Sequence, residues 1–336
     1  MVKSTYLITG ITGYIGSLIA KKVMQSDEYT HEKVHIYAFV RDIKKAQDIL
    51  KNYNCKHLTL IEMDICSNEY ISVMLDKSID YIIHCAATTQ SFQMVSNPVE
   101  TADGIVLGTR NMLELAHLLH VKSMVYLSSM EVYGCVSDIG RNRKEDELGH
   151  ILLESARSCY SLGKRMAEHY CHIYQQQYNV PVKIARLAQT FGRGVNLEDN
   201  RVYMQFARAV VEERDIVLYT QGLSMGNYCD SDDVVNAIFT ILKKGVSGET
   251  YNVSNEENTM CIRKMAELVA HQIAKDKIKV RTELKDIEKI GYAPETNLRI
   301  SSEKLCRLGW KPTKGLVKMY EDVISEIREN NIRKTE

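Results

Sequence analysis

The sequence predicts an α/β fold in which a parallel sheet is covered by helices on both faces and is followed by a smaller α+β lobe. Over roughly the first 130 residues, strand-like apolar runs alternate with segments whose apolar residues recur at helical spacing. Some strand segments, such as YIIHCAA at 81–87, are apolar almost throughout, which is typical of strands buried on both faces.

The predicted elements follow one another in a regular order. In chain order they are strand TYLIT (5–9), helix YIGSLIAKKVMQS (14–26), strand KVHIYAFV (33–40), helix KKAQDILKN (44–52), strand HLTLIEMD (57–64), helix NEYISVMLDK (68–77), strand IDYIIHCAA (79–87), helix GTRNMLELAHLLH (108–120), strand VKSMVYLSS (121–129), helix YSLGKRMAEHYCHIYQQQY (160–178) and strand PVKIARLA (181–188). The less regular remainder predicts the second lobe. We therefore predict a sheet domain over 1–185 and a region over 186–336 that is mostly lobe and partly returns to the sheet.

Composition limits the classes of function. Lys and Arg together number 43, as do Asp and Glu, so a zero net charge argues against binding to nucleic acid or to an anionic membrane. Nine cysteines without a C-x-x-C pair predict reduced thiols in a cytoplasmic protein. Neither an 18-residue apolar run nor a metal-ligand pattern is found, so we expect no membrane span and no metal. The charged run RNRKEDE (141–147) predicts a solvated loop.

A glycine-rich loop, TGITGYIGS at 9–17, separates the first strand from the first helix. Gly10, Gly13 and Gly16 allow a sharp turn and a close approach of backbone N–H groups to a phosphate. The positive end of the helix dipole then favours the negative charge. The loop therefore predicts a dinucleotide cofactor.

This loop resembles the T-G-x-x-G-x-x-G loop of the short-chain dehydrogenase/reductase superfamily in its extended branch. Further matches are MDI (63–65), HCAA (84–87), VLGTRNMLELA (106–116), SSMEVYG (128–134), YSLGK (160–164) and LGWKP (308–312). The resemblance covers nearly the whole chain and implies a Rossmann-type doubly wound sheet, an NAD(P) cofactor and, as in most extended members, a nucleotide-sugar substrate. The cofactor-binding residues it implies are Gly10, Thr12, Gly13, Tyr14, Ile15, Gly16, Asp64, Ile65, Cys85, Ala86, Ala87 and Lys164.

The end of the second strand bears on the choice of cofactor. In NAD-preferring relatives an acidic residue stands where this chain has Arg41, followed by Asp42. An arginine suits a 2′-phosphate because its planar fork binds phosphate in a bidentate manner. NADP(H) is modestly favoured, and Asp42 leaves NAD open.

Three residues match the catalytic positions of the family. Tyr160 and Lys164 are spaced i, i+4 and so share one helix face, and Ser129 ends a strand. The resemblance implies that Ser129 and Tyr160 hydrogen-bond the reacting oxygen, that Tyr160 transfers its proton, and that Lys164 holds the nicotinamide ribose. A nearby ammonium is needed because a free tyrosine titrates near ~10.

SSMEVYG also bears on the reaction type. In the related 4,6-dehydratases the matching stretch carries Thr, Asp and Glu, whereas here it carries Ser129, Met130 and Glu131. Methionine donates no proton, which argues against dehydration. Glu131 is left as either an active-site carboxylate or a polar group near the sugar.

The chain departs from the family where the substrate binds. Gln189 takes the place of an asparagine, and Gly226 takes the place of an arginine that clamps the substrate pyrophosphate. Arg201 and Arg299 are candidate replacements, and Thr88 completes the predicted substrate-binding set.

We predict a nucleotide-sugar epimerase, or a related enzyme, that oxidises the C4 hydroxyl transiently. The alternatives are an NADPH-dependent reductase of a 4-keto sugar or another ketone, a decarboxylase similar to those of UDP-glucuronate, and a dinucleotide-binding sensor without catalysis. The resemblance further implies a homodimer that meets through helices near 105–120 and 160–178.

Overall fold

A computed structural model describes residues 4–136, 140–285 and 296–335. Seven strands, all paired in parallel, form the central sheet. They are β1 (Ser4–Thr9), β2 (Val34–Val40), β3 (Leu58–Glu62), β4 (Tyr81–His84), β5 (Ser123–Ser129), β6 (Val182–Leu187) and β10 (Thr250–Val253). Their order across the sheet is β10-β6-β5-β4-β1-β2-β3, so the winding direction reverses between β1 and β4. Ligands of doubly wound sheets bind at such a reversal, beyond the carboxyl ends of the strands.

Helices cover both faces of the sheet. They are α1 (Tyr14–Met24), α2 (Asp27–Thr30), α3 (Ile43–Leu50), α4 (Tyr70–Met74), α5 (Ser91–Ser96), α6 (Pro98–Leu118), α7 (Ser158–Tyr178) and, from the second half of the chain, α9 (Ser231–Lys244). Residues of α1, α3 and α9 join one apolar core, and residues of α4, α6 and α7 join the other. This arrangement confirms the predicted α/β fold with a doubly wound parallel sheet.

One predicted helix is longer than its periodic segment suggested. Helix α6, expected over 108–120, begins at Pro98, where proline occupies its first turn. Proline is tolerated there because the first helical N–H groups have no partner within the helix. The early start lets α6 pack along α7, with Ile105 about 3.5 Å from the position of a Cβ on Gly163.

Most of the remaining elements form the second lobe, whereas the short helix Glu303–Cys306 packs with the core of the main sheet. In chain order the remaining elements are β7 (Gln189–Phe191), α8 (Val202–Val211), β8 (Ile216–Leu218), β9 (Met225–Asp230), β11 (Asn255–Cys261), α10 (Ile262–Leu268), β12 (Val280–Thr282), α11 (Glu303–Cys306) and α12 (Leu316–Thr335). Strands β11, β9 and β7 form one small sheet, and β12 pairs with β8. The core of the lobe contains stacked rings of Phe191 and Tyr203, whose centroids lie 4.6 Å apart. The division at residue 185 stays a prediction, although β10 and α9 pack on the main sheet from beyond it.

A buried cluster of charges joins the lobe to α9. The ammonium of Lys314 lies 3.2 Å from Asp230, 2.8 Å from Asp232 and 3.3 Å from Asp322. Partial burial lowers the pKa of Lys314, but the carboxylates of Asp232 and Asp230 outweigh it, so the pKa is raised. The cluster fixes the start of α9 against α12.

The charged run at 141–147 is solvated in part: Arg141, Asn142, Lys144 and Asp146 are exposed, as predicted, but the segment also makes tertiary contacts. Arg143 is buried, and its backbone N–H donates to the carbonyl of Arg299 at 2.9 Å. The carboxylate of Glu145 accepts from the backbone N–H of Asn252 at 2.9 Å. Tertiary hydrogen bonds thus override the polarity of part of the segment. In the described ranges, no helix is both long and apolar enough to cross a membrane.

Candidate active site

The glycine loop has the geometry that a bound pyrophosphate needs. Gly10 has a φ of +73°, and a Cβ on it would lie 2.8 Å from the backbone nitrogen of Ala86. A Cβ on Gly16 would lie 2.2 Å from the carbonyl oxygen of Gly10. Helix α1 begins after Gly13 without a side-chain cap, so its first N–H groups lack a partner within the helix. A cradle this close to the backbone fits a dinucleotide phosphate.

The other predicted loop residues connect this cradle to its surroundings. The hydroxyl of Tyr14 donates to the carbonyl of Gly192 at 3.2 Å, which joins the loop to the second lobe. Ile15 packs against the apolar core and Thr12 is half-buried. The loop is therefore held in place from both sides.

Neighbouring strand ends carry the remaining predicted cofactor residues. Arg41 is exposed directly after β2, while the Asp42 carboxylate accepts from the Lys45 N–H at 2.9 Å and caps α3. Asp64 is exposed after β3, and Ile65 packs against Gly108 of α6. Of the two residues after β2, Arg41 is thus the one whose side chain does not cap a helix.

The segment after β4 lies beside the glycine loop. Ala86 donates its N–H to the Thr9 hydroxyl at 3.2 Å, and Cys85 and Ala87 flank it. His84, directly before them, lies between the hydroxyls of Thr9 (2.7 Å) and Thr109 (3.2 Å). Burial lowers the pKa of His84 to about 3, so this histidine is neutral and holds β1, β4 and α6 together.

Ser129, Tyr160 and Lys164 meet at the carboxyl end of β5, as predicted. Tyr160 is buried, and the Ser129 side chain lies close enough to lower its pKa. The ammonium of Lys164 lies 5.9 Å from the centre of the Tyr160 ring and donates to the carbonyl of Leu127 at 2.6 Å. The three side chains can therefore act on one substrate oxygen and on a ribose beside it.

Burial shifts the pKa of both Tyr160 and Lys164. It raises the pKa of Tyr160 to about 12, and the Glu131 carboxylate adds to the rise; the Ser129 side chain and the charges of Arg157 and Arg201 oppose it. Burial lowers the pKa of Lys164 to about 8. Tyr160 is therefore a phenol at neutral pH, and a nearby cation favours its ionisation.

Glu131 lies within this cluster and is held by a residue that the sequence analysis did not select. It sits in a 3₁₀ turn, Met130–Tyr133, that follows Ser129 directly. Arg157 binds both of its oxygens at 2.9 Å, and the Ser161 hydroxyl is 3.3 Å from one of them. Arg157 stands three residues before Tyr160 in RSCYSLGK, one helical turn away, and this spacing was the signal available in the sequence.

The predicted substrate residues are less closely grouped. Gln189 begins β7, and its Oε1 is buried without a hydrogen-bond partner among the described residues. Arg201 forms a fork to Asp199 at 2.9 and 3.0 Å, and its charge still reaches Tyr160. Thr88 is half-buried beyond β4, and Arg299 is fixed through its backbone rather than its side chain.

The structure gives a local reason why glycine, and not a larger residue, stands at position 226. A Cβ on it would lie 2.3 Å from the hydroxyl oxygen of Tyr228, whose buried ring packs edge-on against Phe191 at 5.8 Å. The phenol of Tyr228 thus occupies the space where a longer side chain would begin. An arginine at this position would have to displace Tyr228.

The fold and the site together define a dinucleotide-dependent enzyme with a tyrosine–lysine–serine centre. A family model described as the NAD dependent epimerase/dehydratase family matches residues 6–254. The chain belongs to this family, and its members include enzymes of nucleotide-sugar metabolism.

Similarity to individual proteins supports this family assignment. UDP-glucuronic acid decarboxylase 6 of Arabidopsis thaliana is 29% identical over 322 residues, covering 94% of this chain and 88% of that protein. The dTDP-D-glucose 4,6-dehydratase of Homo sapiens is 27% identical over 329 residues, covering 96% and 90%. The crystal structure of UDP-glucuronic acid 4-epimerase from Bacillus cereus, in complex with UDP-glucuronic acid and NAD, has a TM-score of 0.78 at 19% identity and covers 97% of this chain and 99% of that one. This last similarity concerns the fold.

Proposed function

We propose that the protein is a nucleotide-sugar epimerase that oxidises the sugar transiently at C4. The observation that carries the proposal is the meeting of Ser129, Tyr160 and Lys164 at the carboxyl end of β5, which pairs with β4, with no proton donor at Met130. Glu131 is already engaged by Arg157, which supports a reaction that needs no second base. An epimerase needs only to oxidise one carbon of the sugar and then to return the hydride to that same carbon.

The roles follow from the geometry. Once ionised to the phenolate, Tyr160 takes the proton of the C4 hydroxyl, while Ser129 hydrogen-bonds the same oxygen as the carbonyl forms. Lys164 holds the nicotinamide ribose and favours the phenolate electrostatically. A nicotinamide held there by Lys164 and the glycine loop would supply the hydride acceptor and donor. Rotation of the 4-keto sugar between the two transfers gives the opposite configuration.

A UDP-glucuronate decarboxylase is the second candidate. The similarity to plant decarboxylase 6 over 94% of the chain favours it, together with the carboxylate at Glu131. Oxidation at C4 turns a uronate into a β-keto acid, whose C5–C6 bond then breaks and leaves its electron pair on the C4 carbonyl. The same three residues would carry out the oxidation.

The test is mass spectrometry of a nucleotide-sugar panel, uronates and 4-keto sugars included, incubated with the protein and NAD, NADP or NADPH. A product of unchanged mass that separates chromatographically from its substrate supports the epimerase. Loss of carbon dioxide makes the protein a decarboxylase, loss of water a dehydratase, and gain of two hydrogens with NADPH a reductase. No turnover of any member would support the non-catalytic sensor and overturn the proposal.

For the cofactor we propose a modest preference for NADP(H), carried by the exposed Arg41 after β2. Arg41→Ala is expected to weaken NADP(H) binding about 10–100-fold, because a charged hydrogen bond to a phosphate is worth about 1.5–3 kcal/mol. NAD binding should change little. Calorimetric titration with both cofactors measures this, with Lys51→Ala at the far end of α3 as the control. An equal loss for both cofactors, or none, would contradict the preference.

We further propose a homodimer that meets through α6 and α7. Leu107 on α6 and Met166 on α7 are exposed to 41% and 40%. Such exposed apolar side chains favour a protein partner. Sedimentation equilibrium is expected to give twice the chain mass of 38.4 kDa, and the double variant Leu107→Glu/Met166→Glu to give one chain mass. A monomer in the unchanged protein would overturn the proposal.

We propose a reducing, cytoplasmic location. All nine cysteines are free thiols in the structure, and Cys171 and Cys229 are buried in the two sheet cores. Disulfides are rare in the cytosol because its thiol pools keep cysteines reduced.

A further inference from the structure

A charged pair lies against the ring of the proposed catalytic tyrosine. The guanidinium of Arg157 binds both oxygens of Glu131 at 2.9 Å and lies 5.9 Å from the centre of the Tyr160 ring. The side chains of Arg157 and Glu131 are 35% and 37% exposed, so the pair is partly shielded from water. A two-point fork of this kind fixes both partners in orientation as well as in distance.

The two partners act on Tyr160 in opposite directions. The negative charge of Glu131 raises the pKa of Tyr160, and the positive charge of Arg157 lowers it. As long as the fork is closed, the pair presents little net charge to the phenol. Loss of Arg157 would leave a bare carboxylate beside a group that must become an anion during the reaction.

The remaining surroundings of Tyr160 do not replace this neutralisation. The titratable and polar groups that face it are Tyr126 and Ser129 on β5, Glu131 on the following turn, Arg157 before α7, Cys159 and Lys164 on α7, and Arg201 at the start of α8. Glu131 is the acidic member of this set. Arg201 and Lys164 add positive charge near Tyr160, but Arg201 is paired with Asp199. Arg157 is the cation that binds the Glu131 carboxylate.

Arg165, on α7, offers a comparison with Arg157. It separates two possible roles, namely neutralising the Glu131 carboxylate and merely supporting the Met130–Tyr133 turn. Arg165 donates to the carbonyl of Val132 at 2.7 Å and to that of Gly149 at 2.6 Å. It therefore holds the same 3₁₀ turn through backbone groups and leaves the Glu131 carboxylate untouched. Arg165 is a matched comparison for Arg157.

We propose that Arg157 is a positioning residue that holds and neutralises the Glu131 carboxylate beside Tyr160, so that the phenol can ionise during turnover. The inference rests on the proposed role of Tyr160 as the proton-transferring group. It assigns to Glu131 and Arg157 a joint electrostatic role in place of a chemical step at a neighbouring carbon.

The test is the pH profile of kcat/KM for the substrate found in the panel, in four proteins: unchanged, Arg157→Met, Glu131→Gln, and the double variant. For Arg157→Met, the limb on which activity rises with pH is expected to move about one unit upward, which is a tenfold loss at a fixed lower pH. Glu131→Gln should move it downward, and the double variant should return it toward the unchanged position. Arg165→Met should lower activity without moving the limb.

A second readout keeps the inference testable without turnover. NMR of protein isotope-labelled at tyrosine Cζ, with Tyr160 assigned by the Tyr160→Phe variant, follows its ionisation in the NAD complex. Thermal unfolding checks that each variant is folded. An Arg157→Met protein that is folded and leaves both the limb and the Tyr160 titration in place overturns the inference. Full activity of Tyr160→Phe overturns the proposed function instead.

Discussion

Replacing Tyr160 by phenylalanine is expected to lower turnover by about 10²–10⁴-fold, the range that a positioned general acid–base contributes. The substitution removes one hydroxyl from a buried ring and keeps the packing of the ring against its neighbours. Cofactor affinity and thermal stability should therefore change little. Steady-state kinetics on the best substrate of the panel, together with NAD titration, measures both parts of the prediction.

The matched control is Tyr170→Phe, on the same helix and packed against the same core. It removes a hydroxyl from a ring that contacts Tyr174 rather than the site. If both variants lost turnover equally, the effect would belong to the helix. If Tyr160→Phe kept its turnover, Tyr160 would not be the proton-transferring group.

Gly16→Ala is expected to weaken cofactor binding about 5–150-fold, because overpacking of this kind costs roughly 1–3 kcal/mol. The added Cβ would lie 2.2 Å from the carbonyl oxygen of Gly10, and that atom is backbone. The loop must open to accept it, which displaces the uncapped N–H groups of α1 that would hold the phosphate. Calorimetric titration with NAD and NADP measures the loss.

The control is Gly315→Ala before α12, where the nearest atom, on Asn258, is 4.0 Å from the added Cβ. This variant should bind cofactor as the unchanged protein does. Thermal unfolding of both variants separates a local loss of affinity from a general loss of stability. Unchanged affinity in Gly16→Ala would show that the loop does not form the phosphate cradle.

In the C-terminal half, the sequence contains a helical pattern that would have predicted α12. Helix α12 buries Leu316, Met319, Tyr320, Val323 and Ile327, which recur at helical spacing. These apolar positions alone would have predicted a helix with one buried face. By contrast, the short strands of the lobe have three to seven residues and pair across long separations, so local periodicity carries little information about them.

The sequence by itself determined the sheet domain and the core of the site. Strand and helix periods differ enough to be recognised locally, and glycines that must approach a backbone closely leave a fixed spacing at 10, 13 and 16. Tyr160 and Lys164 were readable for the same reason, since one helical turn brings them to one face.

Only the tertiary structure decided what depends on contacts between distant segments. It buried Arg143 in a run that looked solvated, it placed the Tyr228 phenol over Gly226, and it closed Arg157 onto Glu131. Tyr228 packs against Phe191 of β7, and Glu131 meets Arg157 from 26 residues further along the chain, so these contacts join segments that are distant in sequence. Burial and pairing of a charge are properties of the folded surroundings, so one segment of sequence does not contain them.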